Sequence, residues 1–275
     1  MNKPLNMTVL GPTGRLGRAI CEAILDDPEM ALVGCVVRAE SAVCGQDMGG
    51  VLGREPIGCI AEVSLEDAAE RADIVIDASL ASMTVSAAER LASMGGPAFL
   101  TGVTGFNPDQ ETRLMTTTHR LPVLRASNFS LGVAIAELLV RQAAVLPARE
   151  WDIEISETHH KMKADAPSGT AVMLARAAAG RRGVSLEEAA IWSREGTTGA
   201  RETGTIGFAV NRGGSIVGEH AVRFMAEMEE LTISHRAFDR RVFARGAMAA
   251  TRWMHNGGNG RDAGLYSMQD VVSDV

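Results

Sequence analysis

The chain has 275 residues, 46% of them hydrophobic and 22% charged, a formal net charge of −7, and 29 glycines against seven Phe, three Trp and one Tyr. That acidity and scarcity of rings exclude the basic, stacking surface a nucleic acid needs, and no apolar run approaches the ~20 residues of a membrane span. Neither a nucleic-acid nor a membrane partner is expected, and the opening Met1–Asn6, which lacks the apolar stretch of a secretory leader, gives a cytoplasmic expectation.

In chain order, Met7–Leu10 is a short apolar run ending on Gly11. Over Arg15–Leu25 the apolar residues Leu16, Ala19, Ile20, Ala23 and Ile24 recur with helical spacing. Ala31–Val37, Asp73–Ala78, Ala98–Leu100 and Leu121–Leu124 read as further strands, with helices over Leu65–Arg71 and Thr84–Met94. Continuous apolar strands separated by helices predict a parallel sheet covered on both faces. Near residue 130 the pattern changes. A long helix over Leu131–Leu146 stops at Pro147. Trp151–Glu157 then alternates apolar and polar, the period of a strand with one wet face, and a helix follows over Ala171–Ala179. Strand character returns at Ile206–Val210, Ser215–Val217 and the stretch around Ala221–Ile233, with Gly213-Gly214 as a hairpin signal between the first two. Arg241–His255 is a last helix and Asn256–Gly260 a flexible loop. The fold class expected is α/β: a Rossmann-type parallel-sheet nucleotide domain with an α+β domain built on a mixed sheet.

Gly11-Pro12-Thr13-Gly14-Arg15-Leu16-Gly17 joins the first strand to the first helix. Its G-x-x-G-x-x-G spacing is a variant of the dinucleotide fingerprint: a glycine for the tight turn, one for close approach to pyrophosphate, one for helix–strand packing. The unpaired N–H groups and positive end of the helix suit an anion. An acidic residue for the ribose diol of NAD is expected about 20 residues on, but that position is Val37, followed by Arg38. A guanidinium suits the 2′-phosphate of NADP, so NADPH is the expected cofactor, with NADH use left open by Glu40.

Glu157-Thr158-His159-His160-Lys161-Met162-Lys163 gathers two histidines and two lysines at a strand end and runs into Asp165-Ala166-Pro167-Ser168-Gly169-Thr170. Adjacent strand residues face opposite ways, so His159 and His160 do not chelate one metal. The four cysteines (Cys21, Cys35, Cys44, Cys59) have no C-x-x-C spacing, and no metal is expected. A histidine near neutrality transfers protons, a lysine balances an anion, and Ser168 as N-cap leaves N–H groups near Gly169 and Thr170 for a carboxylate. On these residues alone, a solvated basic turn capping a helix stands beside the functional reading.

Together these segments resemble the dihydrodipicolinate reductase family. The resemblance is carried by Gly14–Arg18, Asp77–Ser79, Gly102–Phe106, Ser127–Ser130, Glu157–His160 with Lys163, Asp165–Thr170, Arg194–Gly196, Gly204–Phe208 and Val217–His220. It implies NAD(P)H-dependent reduction of a cyclic imine bearing two carboxylates, with His159 and Lys163 as the catalytic pair that handles the proton. It implies His160, Gly169, Thr170 and Thr104 as substrate ligands. Cofactor contacts are implied at Gly11, Pro12, Thr13, Gly14, Arg15, Leu16, Arg38, Gly102, Val103, Thr104, Ala126, Ser127, Asn128 and Phe129. The C-terminal helix is implied to return to the nucleotide domain, giving 1–130 with 241–275 for the dinucleotide and an inserted 131–240 for substrate and for assembly of a homotetramer.

Two departures matter: Val37 replaces the acid that some members place on the ribose, and Val103 stands where many have threonine. A short-chain dehydrogenase needs Tyr-x-x-x-Lys, but the one tyrosine, Tyr266, is followed at that spacing by Asp270. A semialdehyde dehydrogenase needs a cysteine nucleophile beyond the nucleotide domain, and no cysteine follows Cys59. The remaining alternatives are a non-enzymatic NADP-binding sensor, which has no use for Lys163, and a reductase of a related cyclic imine.

Overall fold

A computed structural model describes residues Lys3–Asp274. The chain divides into two units, one formed by the residues up to Ser130 and from Arg241 onward, the other by Leu131–Arg240. The first opens with β1 (Leu5–Leu10), α1 (Arg15–Leu25), β2 (Met30–Val36), the single turn α2 (Met48–Val51), β3 (Ala61–Glu62) and α3 (Leu65–Glu70). It continues with β4 (Ile74–Asp77), α4 (Ala81–Met94), β5 (Ala98–Thr101), α5 (Pro108–Thr117) and β6 (Pro122–Arg125). The second holds α6 (Leu131–Ala143), β7 (Asp152–His159), α7 (Gly169–Arg181), α8 (Leu186–Ala189), β8 (Ala190–Ile191), β9 (Ile206–Arg212), β10 (Gly218–Met225) and β11 (Glu230–Ala237). The chain then completes the first unit with α9 (Arg241–His255), β12 (Gly264–Tyr266) and α10 (Met268–Ser273).

In the first unit the strands form one parallel sheet in the order β12-β6-β5-β4-β1-β2-β3. This is the doubly wound arrangement, whose strand order reverses between β1 and β4 and opens a crevice at their C-terminal ends. Its strands are apolar because both faces are covered: Leu10, Val75, Phe99 and Val123 pack with Val85, Leu91 and Leu114. Helix α1 turns Gly17, Ile20, Cys21 and Ile24 inward and packs against α9. Helix α5 begins with a capping box, Asn107 Oδ1 accepting from Gln110 N and Gln110 Oε1 from Asn107 N at 2.9 Å each, with Pro108 at its first position.

The second unit has a five-stranded mixed sheet, β11-β10-β7-β9-β8. Strand β7 pairs antiparallel with β10 and parallel with β9. Ile153, Ile155, Phe208, Val222 and Phe224 meet Val140 and Leu174 in its core. Here two expectations are corrected. Ser215–Val217 is not a strand, and Gly213-Gly214 does not join paired strands, because β7 lies between β9 and β10. Instead the segment folds over the end of β7: Gly213 N donates to His159 O at 2.9 Å and His160 N to Ile216 O at 2.8 Å. The hairpin is formed by β10 and β11, registered from Gly218↔Ala237 to Met225↔Glu230. Helix α6 ends three residues early because its last carbonyls take 3₁₀-type bonds, Leu146 N to Ala143 O at 3.1 Å, ahead of Pro147.

Candidate active site

At the crevice of the first unit the glycine turn is held by contact. Gly11 has φ +72°, and a Cβ there would lie 2.8 Å from Ala78 O, so β1 and β4 approach only through glycine. A Cβ on Gly17 would lie 2.1 Å from Gly11 O. Gly14 differs: its Cβ would meet nothing nearer than 3.5 Å. It is the N-cap of α1, with no side-chain cap bond and no acidic residue in the first turn, so the helix start presents N–H groups without an internal negative partner. A cavity of about 470 Å³ opens here, lined by Gly11, Thr13, Gly14, Val37, Arg38 and Ser41 among others. Val37 is buried, while Arg38 and Arg15 are exposed and neither guanidinium has a carboxylate partner among the described residues. Arg90, on the same cavity, is by contrast bound by Glu66.

A second, smaller cavity is lined by Leu16, Ala78, Ser79, Gly102, Val103 and Thr104. A Cβ on Gly102 would lie 2.7 Å from the Phe129 ring and 3.1 Å from Leu16, so this turn too requires glycine. Ala126 N donates to Thr101 O at 3.0 Å, Asn128 Oδ1 accepts from Ser130 N at 2.9 Å, and Ser127 is exposed. Pro12 is buried within the first turn. Under both cavities sits the buried Asp77, accepting from Ser79 N at 2.9 Å and from the hydroxyls of Ser79, Thr84 and Thr101. Burial pushes its carboxyl above the usual range, and these donors offset only part of that. The structure gathers the expected cofactor residues on the turns that follow β1, β2, β5 and β6. These turns fit a dinucleotide: close backbone approach, an uncapped helix start, and unpaired guanidinium groups. Such a cofactor supplies hydride at its nicotinamide when bound.

In the second unit, β7 alternates so that Ile153, Ile155, Glu157 and His159 share the buried face. His159 thus arrives at the end of a core-facing row, and its Nδ1 is 2.6 Å from Glu157 Oε2. Glu157 also accepts from Arg212 Nη1 and Nη2, each at 2.8 Å, and from Ser168 N at 3.0 Å. Burial works against its charge, but Arg212 and His159 prevail and hold the carboxyl below the usual range. Ser168 is the N-cap of α7, its Oγ accepting from Ala171 N at 3.2 Å. The same Oγ is 2.8 Å from His220 Nε2, and the His220 ring meets that of His159 edge-on at 5.1 Å. Burial pushes His220 down to about 4.

Lys163 Nζ donates to both oxygens of Asp165, at 2.9 and 2.8 Å, and this holds the Asp165 carboxyl low. His160 Nε2 lies 2.9 Å from Arg240 Nη2. A guanidinium only donates, so the His160 ring accepts there and carries its proton on Nδ1. Gly169 and Thr170 form the first turn of α7. His159, His160, Lys163, Gly169 and Thr170 therefore lie on one strand end, the turn after it and the helix that follows. Thr104 belongs to the first unit. Sequence reasoning did not single out Glu157, Arg212, His220 or Arg240 for roles; only Glu157 left a signal, two residues from His159 on an alternating strand. Among the described residues no group of three or more His, Cys, Asp or Glu side chains is placed to hold a metal, and no helix is long and apolar enough to cross a membrane.

Two family models match the chain, "Dihydrodipicolinate reductase, N-terminus" over residues 5–129 and "Dihydrodipicolinate reductase, C-terminus" over 132–272. The chain is 44% identical over 273 residues to a 4-hydroxy-tetrahydrodipicolinate reductase of Caulobacter vibrioides, covering 99% of this chain and 98% of that protein. It is 41% identical over 273 residues to one of Parvibaculum lavamentivorans, covering 99% of each. Among solved structures, a dipicolinate-bound dihydrodipicolinate reductase from Paenisporosarcina sp. TG-14 superposes with a TM-score of 0.74 at 20% identity, over 97% of this chain and 99% of that one. With its doubly wound unit, its mixed-sheet unit and matches that span nearly every residue, the chain belongs to the dihydrodipicolinate reductase family of oxidoreductases.

Proposed function

We propose that this chain reduces the cyclic imine formed from 4-hydroxy-tetrahydrodipicolinate to tetrahydrodipicolinate, a step of lysine and diaminopimelate biosynthesis, as supported by relatives named 4-hydroxy-tetrahydrodipicolinate reductase. The unit formed by 1–130 and 241–275 binds the nicotinamide cofactor, and 131–240 binds the substrate. Gly11–Leu16 cradles the pyrophosphate, Gly102–Thr104 and Ala126–Phe129 border the nicotinamide, and Thr104 reaches the substrate beside it. His159, with Nδ1 committed to Glu157, keeps Nε2 for the transferable proton. Lys163 exchanges Asp165 for the substrate and balances its negative charge. His160, Gly169 and Thr170 hold a substrate carboxylate at the α7 start. The observation that carries the reading is that one short stretch gathers imidazole, ammonium and helix start, the three groups a dianionic imine requires.

NADPH is the preferred cofactor, because Val37 cannot accept from a ribose hydroxyl while Arg38 lies unpaired on the cavity wall. The chain works as a homotetramer through its mixed sheet, whose edge strand β11 exposes Leu231 and pairs on one side only. The test generates the imine from pyruvate and aspartate semialdehyde with the preceding synthase and follows NADPH absorbance. Turnover is expected, with a higher kcat/KM for NADPH than NADH. Arg38→Ala is expected to narrow that ratio about tenfold, as loss of a charge-assisted contact does. Folded protein with no turnover supports the sensor alternative, and an NADH preference removes the role of Arg38.

A further inference from the structure

Glu157 occupies the position on β7 that follows Ile153 and Ile155 on the buried face, where packing asks for an aliphatic side chain. A carboxylate there is costly unless its acceptor sites are filled. They are: His159 Nδ1 at 2.6 Å, two Arg212 nitrogens at 2.8 Å and Ser168 N at 3.0 Å account for the roughly four lone-pair sites of a carboxylate. Arg212 is itself fixed, donating to Asn211 O and Asp165 O at 2.7 Å each. The charge therefore links three things that packing alone does not join: the imidazole, the turn that carries Lys163, and the N-cap of α7.

We infer that Glu157, clamped by Arg212, is a positioning residue for proton transfer, holding His159 by Nδ1–H so that Nε2 carries the transferable proton, and pinning the start of α7 in the same geometry. The inference rests on the reading of His159 as proton donor. The charged and titratable groups around the imidazole are Glu157 on β7, which contacts it, His220 on β10, whose ring meets it edge-on, and Arg212 on β9, its register partner, which is bound to Glu157; the Lys163–Asp165 pair lies on the turn that follows β7. Of these only Glu157 contributes a negative charge in contact with the ring. Removing that charge makes the protonated donor harder to keep, so activity is lost at lower pH.

The experiment compares Glu157→Gln, Arg212→Lys and His159→Ala in the full chain, with NADPH and enzymatically generated substrate. Glu157→Gln is expected to lower kcat about 10²-fold, a share of what a proton donor supplies, with KM for substrate within about threefold and NADPH binding by fluorescence unchanged. The alkaline limb of its kcat profile is expected to move about 1–2 pH units to lower pH, the size of shift an opposite charge in contact produces. Arg212→Lys, which leaves the carboxylate charged but breaks the fork, is expected to lower kcat with the limb unmoved. A Glu157→Gln profile superimposable on that of the unsubstituted chain, while His159→Ala has lost turnover, overturns the positioning role and leaves His159 as donor. Retained turnover in His159→Ala overturns the donor reading itself, and this inference with it. If Glu157→Gln does not fold, Glu157→Asp takes its place: a lower kcat with NADPH binding unchanged supports the inference, and a kcat and pH profile equal to those of the unsubstituted chain overturn it.

Discussion

The turns of the first unit and the end of β7 in the second are built from opposite materials. In the first, glycines shape the turns that border the cavity. Gly11, Gly17 and Gly102 let chain segments approach to distances that any side chain would block, and Gly14 opens an uncapped helix start. Charge enters late, through Arg38 and Arg15. In the second, Glu157, Arg212, His159 and the Lys163–Asp165 pair are tied by short bonds, with His220 joined through Ser168. A backbone cradle recognises a pyrophosphate whatever its nucleotide, so selectivity rests on one or two side chains at its rim. A cluster of mutually bonded charges does chemistry, and it loses its arrangement when one member is removed.

The largest effect separates the two sites directly. Lys163→Ala and His159→Ala are expected to lower kcat by about 10²–10⁴-fold while the dissociation constant for NADPH, read by fluorescence titration, stays within about threefold. Equal losses in turnover and cofactor affinity would dissolve the division of labour. Next comes the buried histidine. Burial, foremost, holds His220 at about 4, whereas an unfolded histidine titrates near 6.5. Between those values the unfolded chain binds a proton that the folded chain does not, so stability rises with pH across that window and falls on acidification. The wild-type chain is expected to lose up to about 3 kcal/mol between pH 6.5 and 4 on this account. His220→Asn removes that slope, so its stability relative to wild type, from urea midpoints, should improve by about 2 kcal/mol at pH 4.5 compared with pH 7. Parallel pH profiles would show that His220 titrates normally.

The third test lies within the glycine turn. Gly17→Ala places a methyl 2.1 Å from Gly11 O and is expected to cost about 1–3 kcal/mol of stability, as overpacking does, together with cofactor binding. Gly14→Ala, whose methyl has 3.5 Å to its nearest neighbour, is expected to change stability by less than about 0.5 kcal/mol, the usual range for a surface site, yet to weaken NADPH binding about tenfold. Equal behaviour of the two variants would mean that Gly14 is a packing glycine like its neighbour.

These contrasts also mark what the amino-acid pattern could reveal. The strand–turn–helix around Gly11–Gly17 is local, and spacing alone places it. Helix α5 was missed: Asn107-Pro108-Asp109-Gln110 carries a capping box that needs no tertiary partner, but the helix that follows has only a weak apolar stripe. Strand β12 was not legible. Three residues carry no period, and Gly264–Tyr266 becomes a strand only by pairing with Pro122–Leu124 on β6. The same limit governs the site. Glu157 and His159 are two residues apart on one alternating strand, whereas Arg212 reaches them through the parallel register of β9 on β7, which pairs it with His159. His220 does so through the antiparallel register that sets it opposite Glu157. A register between distant strands leaves no trace in local spacing, and Gly213-Gly214 shows the converse: a hairpin signal that the insertion of β7 between its arms overrules.

The smallest expected effect tests whether a glycine in the side-chain site works as those in the nucleotide turns do. Gly218 begins β10, one residue beyond the last register pair of β10 with β7, Glu219↔Thr158. Its φ is not positive, so no turn geometry calls for glycine there. A Cβ, however, would lie 3.0 Å from His159 Nε2 and 3.4 Å from its Cδ2. The imidazole would have to give by a few tenths of an ångström while Glu157 holds its other edge at 2.6 Å. A ring fixed on one side and pressed on the other turns, and proton transfer is sensitive to displacements of that order. Gly218→Ala is therefore expected to lower kcat about threefold to tenfold, with NADPH affinity unchanged and stability altered by less than about 1 kcal/mol. If kcat is unchanged, the ring has room to spare and the glycine serves only β10. If NADPH affinity falls instead, Gly218 acts on the cofactor, and the contrast between a site of backbone and a site of side chains fails where it is most finely drawn.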